Sequence, residues 1–391
     1  MYVRLGRKIL LVGILRGERF KRSLLVGSSW RGMYVLLVEP DYYTRYPPLG
    51  LLKLSAWHKQ QGDTTQLVRD CQLVTAKPDI IYVTSLYTWA WRPVWKAVRF
   101  YKAMFPDVEV WLGGLYASLL PEHAAQSGAD IIFKGIIKEA EDIMPDYELV
   151  PNWDGSIIFT SRGCNRKCPY CAVWRIEGSI NSCKKSIKHL VYPKHTRIIF
   201  WDNNFLQNPH WRDICDELEE LGKWVDFNQG LDARLITDEV AERLSRLKLG
   251  PNTVKVRLGY DQPYEEKFVH RAIERLKAVG IKGRSVMVYI LFNYNDTPDG
   301  FFERVRNVLN WGATAYPMRY IPLDALDKNS YISPNWTREE VEMVQRARRV
   351  IGYGGAFPPY EGLVKKFNKA RNFHEAFSLR PPRRGKREEK T

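Results

Sequence analysis

The chain reads as an α/β protein: a doubly wound, Rossmann-like first domain followed by six strand–helix units. Three observations predict this. From Tyr34 onward short unbroken apolar runs alternate with helical patterns, the signature of parallel strands covered on both faces. The alternation runs to about residue 325, too far for one core, since cores rarely grow past roughly 250 residues. The composition, 45% apolar and 27% charged over 391 residues, is that of a folded chain and excludes bulk disorder. No apolar run approaches the roughly 18 residues that span a bilayer, so no membrane association is expected.

The first domain is expected over 33–145. Residues 34–39 (Tyr-Val-Leu-Leu-Val-Glu) form its first strand, and the turn residues Pro47-Pro48 open a helix over 49–61. Strands follow at 65–68, 79–85, 109–113 and 130–133, with helices at 93–104 and 121–126. Sheets of this kind bind ligands beyond the carboxyl ends of their strands, at a topological switch point. Gly113 and Gly114 stand at such an end and are candidate cofactor-binding residues, because a missing side chain lets a ligand reach the backbone. A tight turn explains the same pair. Trp89, Trp91 and Trp95 are expected to pack in the core. Pro145 and Pro151 mark an interdomain linker over 146–155.

Next comes a strand pattern at 156–160 and then Ser161-Arg162-Gly163-Cys164-Asn-Arg-Lys-Cys168-Pro169-Tyr170-Cys171. Of six cysteines in the chain, three fall within the eight positions from Cys164 to Cys171, which points to a metal or cluster site in a reducing compartment rather than a disulfide framework. Three thiolates at Cys-x3-Cys-x2-Cys spacing leave one metal position without a protein ligand, whereas closed zinc and ordinary cluster sites take four. The competing reading is a zinc knuckle that recruits Cys183, His189 or His195. Cys71 and Cys215 stand alone and read as buried thiols.

Strand patterns recur at 197–201, 225–228, 253–258, 285–292 and 314–320, with helices at 209–221, 237–247, 265–279 and 300–311. Polar residues gather at the strand exits: Asp202-Asn203-Asn204, then Gln229, Asp232 and Arg234, then Asp261, then Asn293, then Arg319 and Tyr320. Barrel-type sheets place their chemistry at that end, although Asn and Asp also serve there as helix caps. Residues 326–379 are expected to be helical or irregular, with a helix capped by Thr337 ahead of Arg338-Glu339-Glu340 and broken at 352–355.

The formal charge of +16 invites a nucleic-acid reading. Its distribution argues otherwise. Residues 1–32 carry eight cations against Glu18, and 380–391 carry six against Glu388 and Glu389, which leaves +5 for the body of the chain. Residues 1–32 therefore read as a basic extension and 380–391 as a disordered basic tail. The apolar stretch 9–15 is followed by Arg16-Gly-Glu-Arg-Phe-Lys-Arg instead of a small-residue cleavage site, so it is not read as a signal peptide.

Two resemblances sharpen the picture. Thr160-Ser161-Arg162-Gly163-Cys164-x3-Cys168-Pro169-Tyr170-Cys171 resembles the signature of the radical S-adenosylmethionine (SAM) superfamily, and the six units over 156–325 resemble its (βα)6 partial TIM barrel. The resemblance implies that Cys164, Cys168 and Cys171 hold a [4Fe-4S] cluster whose open iron takes SAM, and that reductive cleavage yields a 5′-deoxyadenosyl radical. It implies that Tyr170 packs on the adenine, that Asp202, Asn203 and Asn204 stand where the SAM amino group is bound, and that Arg257 and Asp261 stand where ribose or carboxylate is contacted. The set Pro47-Pro48-Leu49-Gly50-Leu51-Leu52, Lys77-Pro78-Asp79-Ile80, Gly113-Gly114 with Ser118, and Gly128-Ala129-Asp130 with Gly135 resembles the cobalamin-binding (B12-binding) domain found ahead of some such cores. Here no Asp-x-His-x-x-Gly is present, and the usual acidic ending is Gly135-Ile-Ile-Lys138-Glu139-Ala-Glu141, so cobalamin stands open as a ligand.

Together these imply a cytoplasmic, oxygen-sensitive enzyme, a cobalamin-dependent methyltransferase if the corrinoid binds, drawing electrons from a flavodoxin- or ferredoxin-type donor. Its substrate is a small molecule or a peptide of unidentified kind, and no residue is assigned as catalytic. A methylthiotransferase-like tRNA-modifying enzyme is the alternative within enzymes, weakened by the lack of further clustered cysteines in the first domain. A zinc-containing nucleic-acid-binding protein is the alternative outside them.

Overall fold

The computed structural model describes residues 2–5 and 8–12 as backbone, and 32–352 and 359–378 in full. The chain divides into two compact units: residues up to Gln229 with Ile321–Tyr331, and Gly230–Tyr320 with the residues from Ile332 onward.

The first unit opens with seven strands, β1 (Tyr2–Leu5), β2 (Lys8–Val12), β3 (Tyr34–Glu39), β4 (Thr64–Arg69), β5 (Ile80–Ser85), β6 (Glu109–Gly114) and β7 (Ile131–Lys134). They form one sheet in the order β1-β2-β7-β6-β5-β3-β4. All pairs are parallel except the β1–β2 pair. Residues 8–12 of the basic extension thus continue the sheet beside β7, and 13–31 lie outside the described residues. Helix α1 (Leu49–Gln60) covers one face; α2 (Trp91–Met104), α3 (Leu115–Leu119) and α4 (Pro121–Ala125) cover the other. Along β3, Val35 and Leu37 cluster with Leu51 and Leu54, while Leu36 and Val38 cluster with Val94, Val98 and Tyr101. Burial on both faces is why the strand reads as an unbroken apolar run, and each such side chain contributes about 1.5–3 kcal/mol.

The expected linker is docked rather than loose. The Asp146 N–H donates to Leu52 O at 3.0 Å, its carboxylate accepts from Ser55 Oγ at 2.6 Å, and the buried Tyr147 hydroxyl accepts from the Ile157 N–H at 2.7 Å. Beyond it β8 (Ser156–Ile158), α5 (Val173–Ile176), β9 (Arg197–Phe200), α6 (Trp211–Leu221) and β10 (Trp224–Phe227) follow. Their three strands make a parallel sheet in the order β10-β9-β8. The segment Ile321–Tyr331 returns to this unit and straps the start of α2. Thr88 Oγ1 donates to Ala325 O at 2.7 Å, Trp91 Nε1 to Leu326 O at 3.2 Å, and Arg92 pairs with Asp327 at 3.0 Å.

The second unit holds α7 (Asp238–Arg246), β11 (Val256–Gly259), α8 (Glu266–Ala278), β12 (Val286–Phe292), α9 (Pro298–Asn310), β13 (Thr314–Arg319), α10 (Arg338–Gly352), α11 (Tyr360–Lys369) and α12 (Phe373–Phe377). Its sheet is parallel, in the order β11-β12-β13. Thr237 and Thr297 cap α7 and α9, accepting from the N–H groups of Val240 and Gly300. Thr337 and Glu340 form the expected capping box: Glu340 N donates to Thr337 Oγ1 at 3.2 Å and Thr337 N to Glu340 Oε2 at 2.8 Å. The last helices pack on α9, where the Tyr360 hydroxyl donates to the carbonyls of Leu309 and Ala313 and the Phe373 N–H to Asp299.

All six strands expected after residue 155 are present, but among the described residues they form two three-stranded sheets. The sequence reading expected one sheet of six. Where the third strand would pair with the fourth there is a lone parallel bridge, Leu231 to Leu258. Gly230 at φ 88° turns the chain there, and its backbone lies close against Arg257. No described helix is long and apolar enough to cross a membrane.

Candidate cofactor site

The cysteine loop leaves β8 through Gly163, at φ 72°. A Cβ there would stand 2.2 Å from Ser179 O, so the sharp exit excludes any other residue. The returning limb closes the loop: Arg162 and Asn181 exchange N–H···O bonds of 2.9 and 2.8 Å, Cys164 N donates to Gly178 O, and Lys184 N to Thr160 O. Cys164 is buried, and Cys168 and Cys171 are half-buried. The Cys164 sulfur accepts from Arg166 N at 3.4 Å and from Asn204 Nδ2 at 3.9 Å, and Cys171 N donates to Cys168 O at 3.0 Å. Burial pushes the Cys171 thiol up, and Cys168 and Cys164 push the same way.

Among the described residues, no group of three or more His, Cys, Asp or Glu side chains converges on a single ion. The extra ligands that a zinc knuckle needs are engaged elsewhere. His189 bonds Asp142, His195 bonds Ser156 Oγ at 3.0 Å against the Tyr147 and Tyr192 rings, and the Cys183 thiol donates to Asn181 O. A cluster of several irons spreads its thiolate ligands farther apart than one ion does, and N–H donors to a ligating sulfur suit it. The remaining thiols are Cys215, buried in α6, and Cys71, half-buried rather than buried and pushed up to about 11 by burial and Asp70.

Asp202 follows β9 and is fully buried. Its carboxylate accepts from the Thr160 N–H and hydroxyl (3.0 and 2.6 Å) and from the Ser161 N–H and hydroxyl (2.9 and 3.1 Å). Burial pushes its pKa up against those donors. Its acceptors are spent on fixing the β8 exit just ahead of Cys164. Asn204 faces Cys164, whereas Asn203 lines the neighbouring cavity and donates to Glu177 at 2.8 Å. Tyr170 is half-buried on the loop and is not among the cavity-lining residues.

That cavity, of about 640 Å³, lies within the first unit at the carboxyl ends of β3, β5, β6 and β7. Gly113 and Gly114 line it. Gly114 sits at φ 100°, and a Cβ on it would fall 2.2 Å from Ser85 O, so the close approach of β6 to β5 requires glycine. Ser85 Oγ donates to Gly113 O at 2.6 Å; Ser118 Oγ donates to Gly114 O at 2.8 Å and accepts from Gly135 N at 3.0 Å. Opposite stand aromatic side chains, with Tyr46 edge-on to Trp201 and its hydroxyl accepting from Asn228 Nδ2 at 2.6 Å. A third wall is the back of the cysteine loop: Arg162, Ala172, Val173, Ile176 and Glu177.

Charge is concentrated on that wall. Arg162 lies over the Phe159 ring at 3.4 Å, pairs with Glu141 and reaches Glu177 at 3.3 Å; Glu177 also accepts from Gly163 N at 2.8 Å. Lys53 of α1 joins at 3.0 Å from Glu141. Burial alone would raise the Glu141 carboxyl, but Arg162 and Lys53 outweigh it and bring it to about 2, while burial pushes Lys53 down to about 8. Sequence reasoning assigned none of Lys53, Glu141, Arg162 or Glu177 to a site, although Arg162 stands inside the cysteine motif and could have been noticed there.

The other expected site residues belong to the second unit. Arg257 is half-buried, and its carbonyl accepts from Leu231 N. Asp261 accepts from Leu291 N at 2.9 Å, and its carbonyl takes Arg304 Nη1 at 2.9 Å, so it ties the ends of β11 and β12. Asn293 is buried, with Oδ1 accepting from Ser333 N at 2.9 Å. Asp232 is paired with Arg234 at 2.7 Å, whereas Gln229 belongs to the first unit and lines its cavity.

No family model and no curated protein matches the chain. Solved structures do. One is the radical S-adenosylmethionine methyltransferase TsrM from Kitasatospora setae with tryptophan substrate and a SAM analog (aza-SAM) bound: TM-score 0.57, 13% identity, covering 75% of this chain and 75% of that one. The chain shares the fold of a radical SAM methyltransferase. The same enzyme with cobalamin and a [4Fe-4S] cluster bound matches at TM-score 0.58 and 14% identity, over 75% of this chain and 77% of that one. At such identity the likeness is one of fold.

Proposed function

We propose that the chain is a radical SAM enzyme that binds a [4Fe-4S] cluster through Cys164, Cys168 and Cys171 and a corrinoid in the adjoining cavity, and that it transfers a methyl group. The observation that carries this reading is the shared wall: the back of the three-cysteine loop is one side of a cavity at the strand ends of a doubly wound domain. The donor set fits a cluster, with three thiols and, among the described residues, no fourth side chain gathered with them. The cavity fits a flat ligand with a polar rim, having a glycine backbone on one side, Tyr46, Phe159 and Trp201 on the other, and charged side chains at its edge. Bound there, the cluster supplies the electron that cleaves SAM and the corrinoid a centre that hands on a methyl group.

The chain's own residues position and exclude water. Gly163 and Asp202 fix the exit of β8, Arg162 and Glu141 hold the loop against the cavity, and the aromatic wall keeps it dry. Tyr170 and Asn203 are the side chains proposed to touch SAM, with Asp202 and Asn204 acting by positioning. A flavodoxin- or ferredoxin-type donor in the cytoplasm completes the scheme, with a small molecule or peptide as substrate.

Anaerobic reconstitution tests the reading. About four irons per chain and release of 5′-deoxyadenosine from SAM are expected, both lost in Cys164→Ala. One tightly held zinc with no SAM cleavage would overturn it.

A further inference from the structure

The sheet order β4-β3-β5-β6-β7 reverses at β3, whose chain neighbours lie on either side of it. In such sheets ligands enter the crevice at that reversal, between the ends of β3 and β5. The last residue of β3 is Glu39, only 6% exposed and lining the cavity. A carboxylate offers about four acceptor positions. The partner found for it is Arg69 Nε at 3.4 Å, itself 57% exposed. Burial pushes the Glu39 carboxyl up and Arg69 draws it back.

Across the crevice stand Thr84 and Ser85, the end of β5, and the buried Tyr42, whose hydroxyl bonds Thr84. The cations lining the cavity, Lys53 and Arg162, are both engaged by Glu141. A ligand group arriving at Glu39 therefore meets a desolvated acceptor, which favours a neutral hydrogen-bond donor and disfavours an anion.

We propose that Glu39, with Tyr42 and Thr84 beside it, is an acceptor subsite at the switch point that takes a neutral N–H or O–H donor of the bound corrinoid. This rests on the corrinoid reading above. Cobalamin carries two kinds of such donor, the amide N–H groups around the corrin rim and the ribose hydroxyls of its nucleotide loop. Cobinamide keeps the first and lacks the second.

Equilibrium dialysis of wild type, Glu39→Gln and Glu39→Ala against hydroxocobalamin and dicyanocobinamide, read by corrin absorbance, tests the subsite without any turnover. Glu39→Ala should weaken cobalamin at least roughly tenfold. Glu39→Gln keeps one acceptor oxygen and should fall between; it also stands in for the alanine variant if that variant melts early by circular dichroism. An equal loss with cobinamide assigns a carboxamide as the donor, and a loss confined to cobalamin assigns the ribose hydroxyl. Equal cobalamin affinity in all three proteins overturns the subsite while leaving the corrinoid reading intact. Failure of wild type to bind either corrinoid overturns both.

Discussion

Glu141 grips the Arg162 guanidinium through two bonds, Nε to Oε2 at 2.6 Å and Nη2 to Oε1 at 2.9 Å, with both side chains at least 86% buried. This fork joins the segment after β7 to the residue two before Cys164. Breaking a buried pair from one side leaves the other charge uncompensated, at a cost of about 3–5 kcal/mol. Arg162→Ala should therefore lower stability in urea by that order. Glu141→Gln, which leaves Lys53 and Arg162 facing each other without their shared anion, should do likewise. Unchanged unfolding midpoints would show the fork to be incidental.

The same carboxyl sets an acid limit. Glu141 stands at about 2 in the folded chain against an ordinary value of 4.5. A depressed folded pKa means that the unfolded chain binds more protons between those values, so the contribution is complete above pH 4.5 and lost as pH falls toward 2. Urea midpoints measured through that window should decline less steeply in Glu141→Gln than in wild type. Lys53, lowered by burial from 10.5 to about 8, acts in a separate window, where stability rises with pH from 8 to 10.5.

Two glycines of the cysteine loop separate conformation from close approach. Gly163 and Gly178 both have positive φ, at 72° and 76°, but a Cβ on Gly163 meets Ser179 O at 2.2 Å whereas one on Gly178 meets nothing within 4 Å. Gly178→Ala should cost only the conformational penalty, roughly 1 kcal/mol, and reconstitute with full iron. Gly163→Ala must displace the loop and should lose most of its iron, measured per folded chain.

Asp202→Asn replaces an acceptor that meets four donors with a group that brings an N–H₂ of its own. At least one amide hydrogen then opposes a Thr160 or Ser161 donor. Lower thermal stability and reduced iron uptake are expected together, with Asp202→Glu failing to rescue because the site is closed. Full iron uptake at wild-type stability would contradict the buttressing role.

Much of this was legible in the sequence, for physical reasons that differ by element. Tyr34–Glu39 reads directly because both faces are buried and the run is unbroken. The cysteine loop reads because its three thiols are close together in the chain. Helix α3 was missed because Gly114, at φ 100°, sends the chain straight from β6 into Leu115–Leu119, where Gly113-Gly114 suggested a ligand-facing strand end or a turn. Asp202 looked like a ligand-binding residue since a strand exit rich in Asp and Asn says nothing about which way each side chain turns. The Lys53–Glu141–Arg162 network joins residues 88 and 21 positions apart and exists only once the chain has folded.

The strap at Ile321–Tyr331 has a consequence for synthesis. The first unit is not one continuous stretch of the message: its α2 start is covered by Ala325, Leu326 and Asp327, which are translated long after Gln229. A nascent chain halted anywhere between must wait with Trp91 and Thr88 uncapped, so completion of the first unit is timed by the ribosome's passage through the second. A gene cut after residue 229 would yield the first unit with its last piece missing.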